Sequence, residues 1–307
     1  MLLSSLDSFV GIAKNKAKLK LLKIAVAAAE DETTLSALKL LVAHKIAEPI
    51  LVGCRARIIS LSDNIGFDIC RYEIIDEPNK VEACKKAVSL VRNGHADVLT
   101  RGSIGTPEYL RPILNRETGL KKEKIVSQAA FVQIDSYHKV FAYTDSGINI
   151  APDVNEKAQM IQQCVEVFHS LGVSEPKVAV IAATEGVKTA MPSTIDAALL
   201  TQMNRRGSIH GCIVDGPLSI DLAFSKESVM HKGIVTDVGG DVDIVLLPDI
   251  NAANVFYKTT TFLGGAKAAS FIIGTVAPVD FPSRSDSVET KFYAMVCALA
   301  QCNIAEA

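Results

Sequence analysis

"ADVLTRGSIGTPEYLRPILN", residues 96–115, holds the pattern that decides the fold. A short apolar run from Ala96 to Thr100 ends in Arg101 and passes through Gly102 and Gly105. It then enters Thr106–Pro107 and a stretch of helical spacing. A buried strand thus leaves through a glycine loop into a helix that opens with proline. In an open parallel sheet, ligands bind outside such strand ends, where the next helix offers free N–H groups to an anion.

The flanking sequence repeats the unit. Upstream, "KIAVAAA" (Lys23–Ala29), "PILVG" and "YEIID" read as strands. They alternate with the helical stretches "DETTLSALKLLVAHK", "RARIISLSDNIG" and "KVEACKKAVSLVRNG". Downstream, "KIVSQAAFVQI" and "KVFAYTD" are joined by the short polar "DSYH", the pattern of a hairpin. Alternation then resumes, with strands in "KVAVIAA", "GCIVDG", "DIVLLPD" and "ASFIIGTV" and a final helix in "SVETKFYAMVCALAQ". Strands alternating with helices predict an α/β fold, a mostly parallel sheet covered on both faces. No Pro- or Ser-rich linker, short repeat or low-complexity tract interrupts it.

Composition narrows the function. The chain has 307 residues, 49% of them apolar, and a net charge of −2. That balance does not point to nucleic acid, and the absence of Trp removes the best stacking side chain. No apolar run approaches the roughly 20 residues of a membrane span, and no secretory signal opens the chain. Seven cysteines, an odd number with no C-x-x-C pair, read as reduced thiols of a cytoplasmic protein. The six histidines are scattered, which argues against a zinc site.

Five strand exits are polar or glycine-bearing: "LTRGSIGTP", "YTDSGINIAP", "AATEGVKTAMPST", "VDGPLSIDLAFS" and "LPDINAAN". Each alone is a turn that any α/β protein needs; together they point to a common site. The order and spacing of these exits, with "LPDINAANVFYKTTTFLGGA" and "PVDFPSRSDS", resemble the phosphate acetyltransferase and phosphate butyryltransferase family. The likeness runs from about Ile24 to Gln301, and "DGPLSIDLA" looks more like the butyryl branch.

The resemblance implies two α/β/α domains of the isocitrate/isopropylmalate-dehydrogenase-like type with an interdomain cleft. The expected domains are residues 1–133 plus 283–307, and 134–282. The implied reaction is acyl-CoA plus inorganic phosphate giving acyl phosphate plus CoA, with no cofactor, no metal, and a homodimer or larger assembly. It assigns oxyanion stabilisation to Ser283 and phosphate binding to Arg284, whose guanidinium can hold phosphate by two parallel hydrogen bonds. The residues alone also allow a helix-capping serine beside a solvated arginine. Arg111 matches a family arginine at the phosphate, or is a helix-surface charge. Arg101 would meet phosphate or pantetheine, or form a salt bridge. Asp145, Asn149, Asn251 and Asn254 suit hydrogen bonding to a polar ligand, and equally suit turns and caps. Gly216 and Pro217 are expected after a strand, at the acyl or CoA end of the site.

Two positions depart from the family. Thr290 stands where the acetyl branch has an aspartate for the CoA thiol, and Phe262 where that branch has a basic residue. Two other classes compete. A metal- and NAD-dependent dehydrogenase of the related fold could use the acids of "DVGGDVD" (Asp237–Asp243), but these precede a strand, and no G-x-G-x-x-G follows one. An idle CoA-binding protein would not need both Ser283 and Arg284.

Overall fold

The structure is a computed structural model that describes residues 3–303. Residues 1–2 and 304–307, the two ends of the expected first domain, lie outside the described residues. The chain divides into two compact units. The first comprises Asp7–Val126 and residues 269–303; the second comprises residues 3–6 and Ser127–Ala268.

The first unit begins with α1 (Asp7–Leu19) and β1 (Leu22–Ala27). It continues through α2 (Glu32–Ala43), β2 (Ala47–Gly53), α3 (Arg55–Asn64) and β3 (Glu73–Asp76). Then come α4 (Lys80–Arg92), β4 (Val98–Arg101) and α5 (Thr106–Ile113). β1 pairs in parallel with both β2 and β4, and β2 with β3. The strand residues Ile24 to Ala27 are wholly buried, as a sheet covered on both faces requires. α5 is shorter than the stretch expected to be helical. After Leu114 the carboxamide oxygen of Asn115 accepts from the Glu117 and Thr118 amides and forms a turn instead.

The second unit opens with the expected antiparallel hairpin, β5 (Ser127–Gln133) and β6 (Phe141–Thr144). It runs on through α6 (Val154–Ser170), β7 (Lys177–Ile181), α7 (Pro192–Arg205) and β8 (Ile213–Leu218). Two short helices, α8 (Ile220–Phe224) and α9 (Lys226–Lys232), precede β9 (Ile244–Leu246) and α10 (Ile250–Lys258). α10 continues as one π-helical turn over Thr259–Leu263. The strand order is β5-β6-β9-β7-β8, so β8 is an edge. Gly216 and Pro217 lie inside β8, not after it; an edge strand tolerates a residue without an N–H.

The chain then forms β10 (Lys267–Ile273), β11 (Val279–Asp280) and α11 (Val288–Ala300). β11 pairs antiparallel with β10 and parallel with β4, giving the first unit the order β3-β2-β1-β4-β11-β10. The units divide at 126/127 and 268/269 rather than at the expected 133/134 and 282/283: β5 pairs with β6 of the second unit, and β11 draws residues 269–282 to β4 of the first. α11 is buried from Lys291 to Ala300 and packs on α1 and α2. Lys16 caps its carboxyl end, donating to the Ala300 and Cys302 carbonyls at 2.6 and 2.7 Å. Buried Lys291 pairs with Asp31, the N-cap of α2, at 2.6 Å.

Candidate active site

The exit of β4 is held from three directions. The Gly102 and Ser103 amides donate to the Ala27 and Ala28 carbonyls at 2.9 and 2.8 Å, fastening the loop to the end of β1. Only glycine allows this approach, because a Cβ on Gly102 would stand 2.1 Å from the Ala28 oxygen. Asp280 of β11 accepts from the Thr100 hydroxyl and from the Arg101 amide. Burial pushes the Asp280 carboxyl up to about 7, while those two donors pull it down.

Arg101 is the third fastening, and it is neither the salt bridge nor the open phosphate ligand the sequence allowed. It is 4% exposed. Its guanidinium donates to the Ile104 carbonyl from Nε and Nη2 (3.1 and 2.8 Å), to the Pro282 carbonyl from Nη1 (3.1 Å) and to the Thr106 hydroxyl (3.0 Å). The rings of Tyr109 and Phe281 flank it at 5.8 Å. Arg101 therefore ties the β4 exit to the segment that leads into Ser283 and Arg284.

The frame surrounds a pocket of about 530 Å³ lined by Lys80, Val81, Ser103, Ile104, Gly105, Thr106, Pro107, Glu108 and Arg284. Two cations thus face the amino end of α5. That helix starts after Gly105, which supplies no capping side chain, and Pro107 removes one donor. The Thr106 and Glu108 amides have no intrahelical acceptor, so the first turn offers donors to an anion beside the Glu108 carboxylate. Lys80 donates to the Ser103 carbonyl at 2.9 Å. The Ser103 hydroxyl is buried without a hydrogen-bond partner among the described residues. Such atoms are rare in native proteins, and at the pocket wall this hydroxyl is available to a ligand group.

Arg284 sits in an exposed turn, and α11 starts only at Val288, capped by Ser287 rather than by Ser283. Ser283 is therefore not the helix-capping serine the residues alone allowed, and the Arg284 charge lies beside the start of α5 instead. The cause is Asp286, whose carboxylate accepts from the Ser283 amide at 2.7 Å and closes a turn ahead of the helix. The Ser283 and Ser285 hydroxyls lie 3.1 Å apart. Arg111 is on α5, exposed, one turn beyond Glu108, and does not line the pocket. Thr290 is a first-turn residue of α11 whose amide and hydroxyl both engage Ser287. Lys80, Ser103 and Glu108 were missed by sequence reasoning. Ser103 and Glu108 lie within residues 96–115, but nothing local marked them, and Lys80 comes from a different strand exit.

The second unit's candidates behave differently. Asp145, 2% exposed, accepts from the Gly147 and Ile148 amides (2.8 and 3.0 Å), the Asn149 amide (3.1 Å) and the Asn149 carboxamide (2.6 Å). Burial pushes its carboxyl up, against the pull of those donors. Asn254 donates weakly to Ser146 at 3.4 Å, so α10 meets the same loop. The Asn251 amide donates to the N-cap Asp249 at 2.8 Å. These four sit at the ends of β6 and β9, whereas Gly216 and Pro217 lie across β7 in β8. The acids weighed for a metal are structural: Asp241 pairs with Lys139 and Lys177 at 3.0 and 2.8 Å, and Asp243 with Lys139 at 2.7 Å. Among the described residues no three His, Cys, Asp or Glu converge on a metal position.

The family model described as "Phosphate acetyl/butaryl transferase" matches residues 70–299. The chain belongs to this family. It is 42% identical to a phosphate butyryltransferase of Clostridium acetobutylicum over 94% of this chain and 95% of that one. It is 39% identical to a phosphate acetyltransferase of Thermotoga maritima over 94% and 97%. A branched-chain phosphotransacylase from Enterococcus faecalis matches in structure with a TM-score of 0.80 and 30% identity, covering 92% of this chain and 99% of that one. The α/β class and the transferase reading both stand, and the dehydrogenase and idle-binder alternatives lose their ground. No helix among the described residues is long and apolar enough to cross a membrane.

Proposed function

We propose that the protein is a phosphate acyltransferase that moves a short acyl group, butyryl by preference, between CoA and inorganic phosphate. One observation carries the reading: two cations, an uncapped helix start and an unpartnered buried hydroxyl line a single pocket at the β4 exit. Phosphate is a tetrahedral anion that would use all three. The Thr106 and Glu108 amides and the Ser103 hydroxyl would donate to it, and Arg284 and Lys80 would neutralise it. A phosphate oxygen attacks the thioester carbonyl, a C–O bond forms, and the C–S bond breaks to release CoA as thiolate. Ser283 would donate to the developing oxyanion, worth on the order of a hundredfold in rate for such a donor. Arg101 positions the strands of this site rather than touching substrate.

Chain-length preference rests on "DGPLSIDLA", the stretch that looks more like the butyryl branch. Two added methylenes in an apolar pocket give at most about 1.6 kcal/mol, about tenfold. The 39% identity to an acetyltransferase supports acetyl as the second reading. Thiol release from acetyl- to valeryl-CoA with phosphate separates the two: butyryl-CoA should have the highest kcat/KM, and a lead for acetyl-CoA overturns the preference. The same assay after EDTA dialysis should keep its rate, since the charge of phosphate is assigned to side chains. A homo-oligomer in the cytoplasm completes the proposal. Exposed Val255, Phe262 and Leu263 of the second unit favour association, and a sedimentation mass equal to the monomer's would refute it. The location rests on five buried thiols suited to a reducing compartment, and cell fractionation tests it.

A further inference from the structure

The acyl transfer also needs a place for the thiol proton. Of the groups lining the pocket, Lys80 and Arg284 are cations, Ser103 and Thr106 are alcohols, and Glu108 is the only carboxylate. Glu108 is exposed and makes no hydrogen bond or ion pair among the described residues. Its side chain folds back over the helix start: a Cβ on Gly105 would stand 2.0 Å from Glu108 Oε2. Glycine at 105 is what gives the carboxylate room beside the pocket mouth. Thr290 cannot serve in its place, because its hydroxyl is engaged with Ser287 and an alcohol is a poor base. Asp280 is fully buried behind Thr100 and Arg101, and Asp286 is bound to the Ser283 amide.

We propose that Glu108 is the catalytic base for the CoA thiol, an inference that rests on the acyltransferase reading above. Toward acyl-CoA, the S–H proton passes to the Glu108 carboxylate and the thiolate attacks the acyl-phosphate carbonyl. The C–S bond forms, the C–O bond to phosphorus breaks, and phosphate leaves with the electron pair. The proton on Glu108 then goes to the departing phosphate or to water. In the other direction the carboxylic acid returns a proton to the leaving thiolate. The charged groups around Glu108 are Lys80 from α4, Arg284 from the turn before α11, Arg111 on its own helix and buried Arg101 behind. Glu82 and Lys85 of α4 pair with each other at 2.8 Å.

The size of the effect follows from the thiol. If the CoA thiol takes the cysteine reference value of about 8.5, about 3% is thiolate at pH 7, so a base can accelerate the step by up to about thirtyfold there. At pH 9 most of the thiol is already ionised and the advantage falls to about twofold or less. The experiment follows thiol consumption with butyryl phosphate and CoA at pH 7 and pH 9, for the wild type, Glu108→Gln and Glu108→Asp, with thermal melts. The expected result is a loss approaching thirtyfold for Glu108→Gln at pH 7 that closes by pH 9, with Glu108→Asp recovering part of it. A structural role would give a loss equal at both pH values. That outcome, an undiminished Glu108→Gln at pH 7, or an Asp variant no better than Gln, overturns the assignment while leaving an active wild type as an acyltransferase. A wild type without turnover would sink both.

Discussion

Two buried aspartates govern two strand exits in opposite ways. Asp145 sits on the exit of β6 and spends its carboxylate on the loop itself, accepting from Gly147, Ile148 and Asn149. Asp280 sits behind the exit of β4 and binds only the strand end, Thr100 and the Arg101 amide. The loop beyond is then held through backbone carbonyls by Arg101, and its donors and cations stay open. Both aspartates order a loop. Only the arrangement that binds from behind leaves hydrogen-bonding capacity for a ligand. Asparagine- and glycine-rich exits therefore do not mark a site by themselves; what matters is whether the loop has already satisfied its own polar groups.

The largest expected effect breaks the open exit. Arg284→Ala should lower kcat/KM for phosphate by about a hundredfold to a thousandfold with little change in thermal midpoint, and Arg284→Lys should fall between. Steady-state kinetics on folded variants checks this, and a near-wild-type Arg284→Ala would remove the pocket from consideration. The closed exit should respond in the reverse sense. Asp145→Asn sets an NH₂ group against backbone donors and should cost about 1–3 kcal/mol in urea unfolding, while KM for phosphate stays within a factor of two or so. A large rise in that KM instead would make the β6 exit a ligand site after all.

A pH series sharpens the contrast. Native Asp280 holds its proton to about pH 7, whereas an unfolded carboxylate loses it near 3.8. Its contribution to stability is therefore fully present below pH 4 and declines as the pH climbs through 7, by about 1.4 kcal/mol per unit of separation. Urea midpoints of wild type and Asp280→Asn from pH 5 to 8 should converge at the acid end and diverge at the basic end. Parallel curves would show that the acid is ionised throughout. The smallest effects belong to the rim. Arg111→Ala should raise KM for phosphate severalfold without lowering kcat, and Thr290→Ala should change turnover by less than about twofold. A collapse of kcat in the threonine variant would return the proton transfer to α11.

Much of this was legible in the residues. The alternation of strands and helices and the "DSYH" hairpin follow from periodicities of 2 and 3.6, which survive without tertiary context. What was missed is short or non-local. β11 is two residues long and exists only because β4 and β10 flank it. α1 precedes the first apolar strand and buries Phe9 and Ala13 under α11, a partner far along the chain. Arg101 read as a phosphate or pantetheine ligand or a salt-bridge partner because sequence cannot show that Ile104 and Pro282 turn their carbonyls inward. Glu108 carried no signal because its meaning depends on Lys80 and Arg284 reaching the same pocket from other exits.

The return of the chain has a consequence for biosynthesis. The second unit is nearly continuous from Ser127 to Ala268, but the first unit lacks β11 and α11 until Val279–Ala300 has been made. Before then β4 has one bare edge, and the apolar faces of α1 and α2 have no α11 to cover them. A nascent chain at that stage carries a finished later unit and an unfinished earlier one, exposing the surfaces that chaperones bind. Deleting α11 should consequently harm yield and solubility far more than removing an equal length from a surface loop, because it strands a unit whose strands β1 to β4 precede Ser127–Ala268 of the second unit in the sequence.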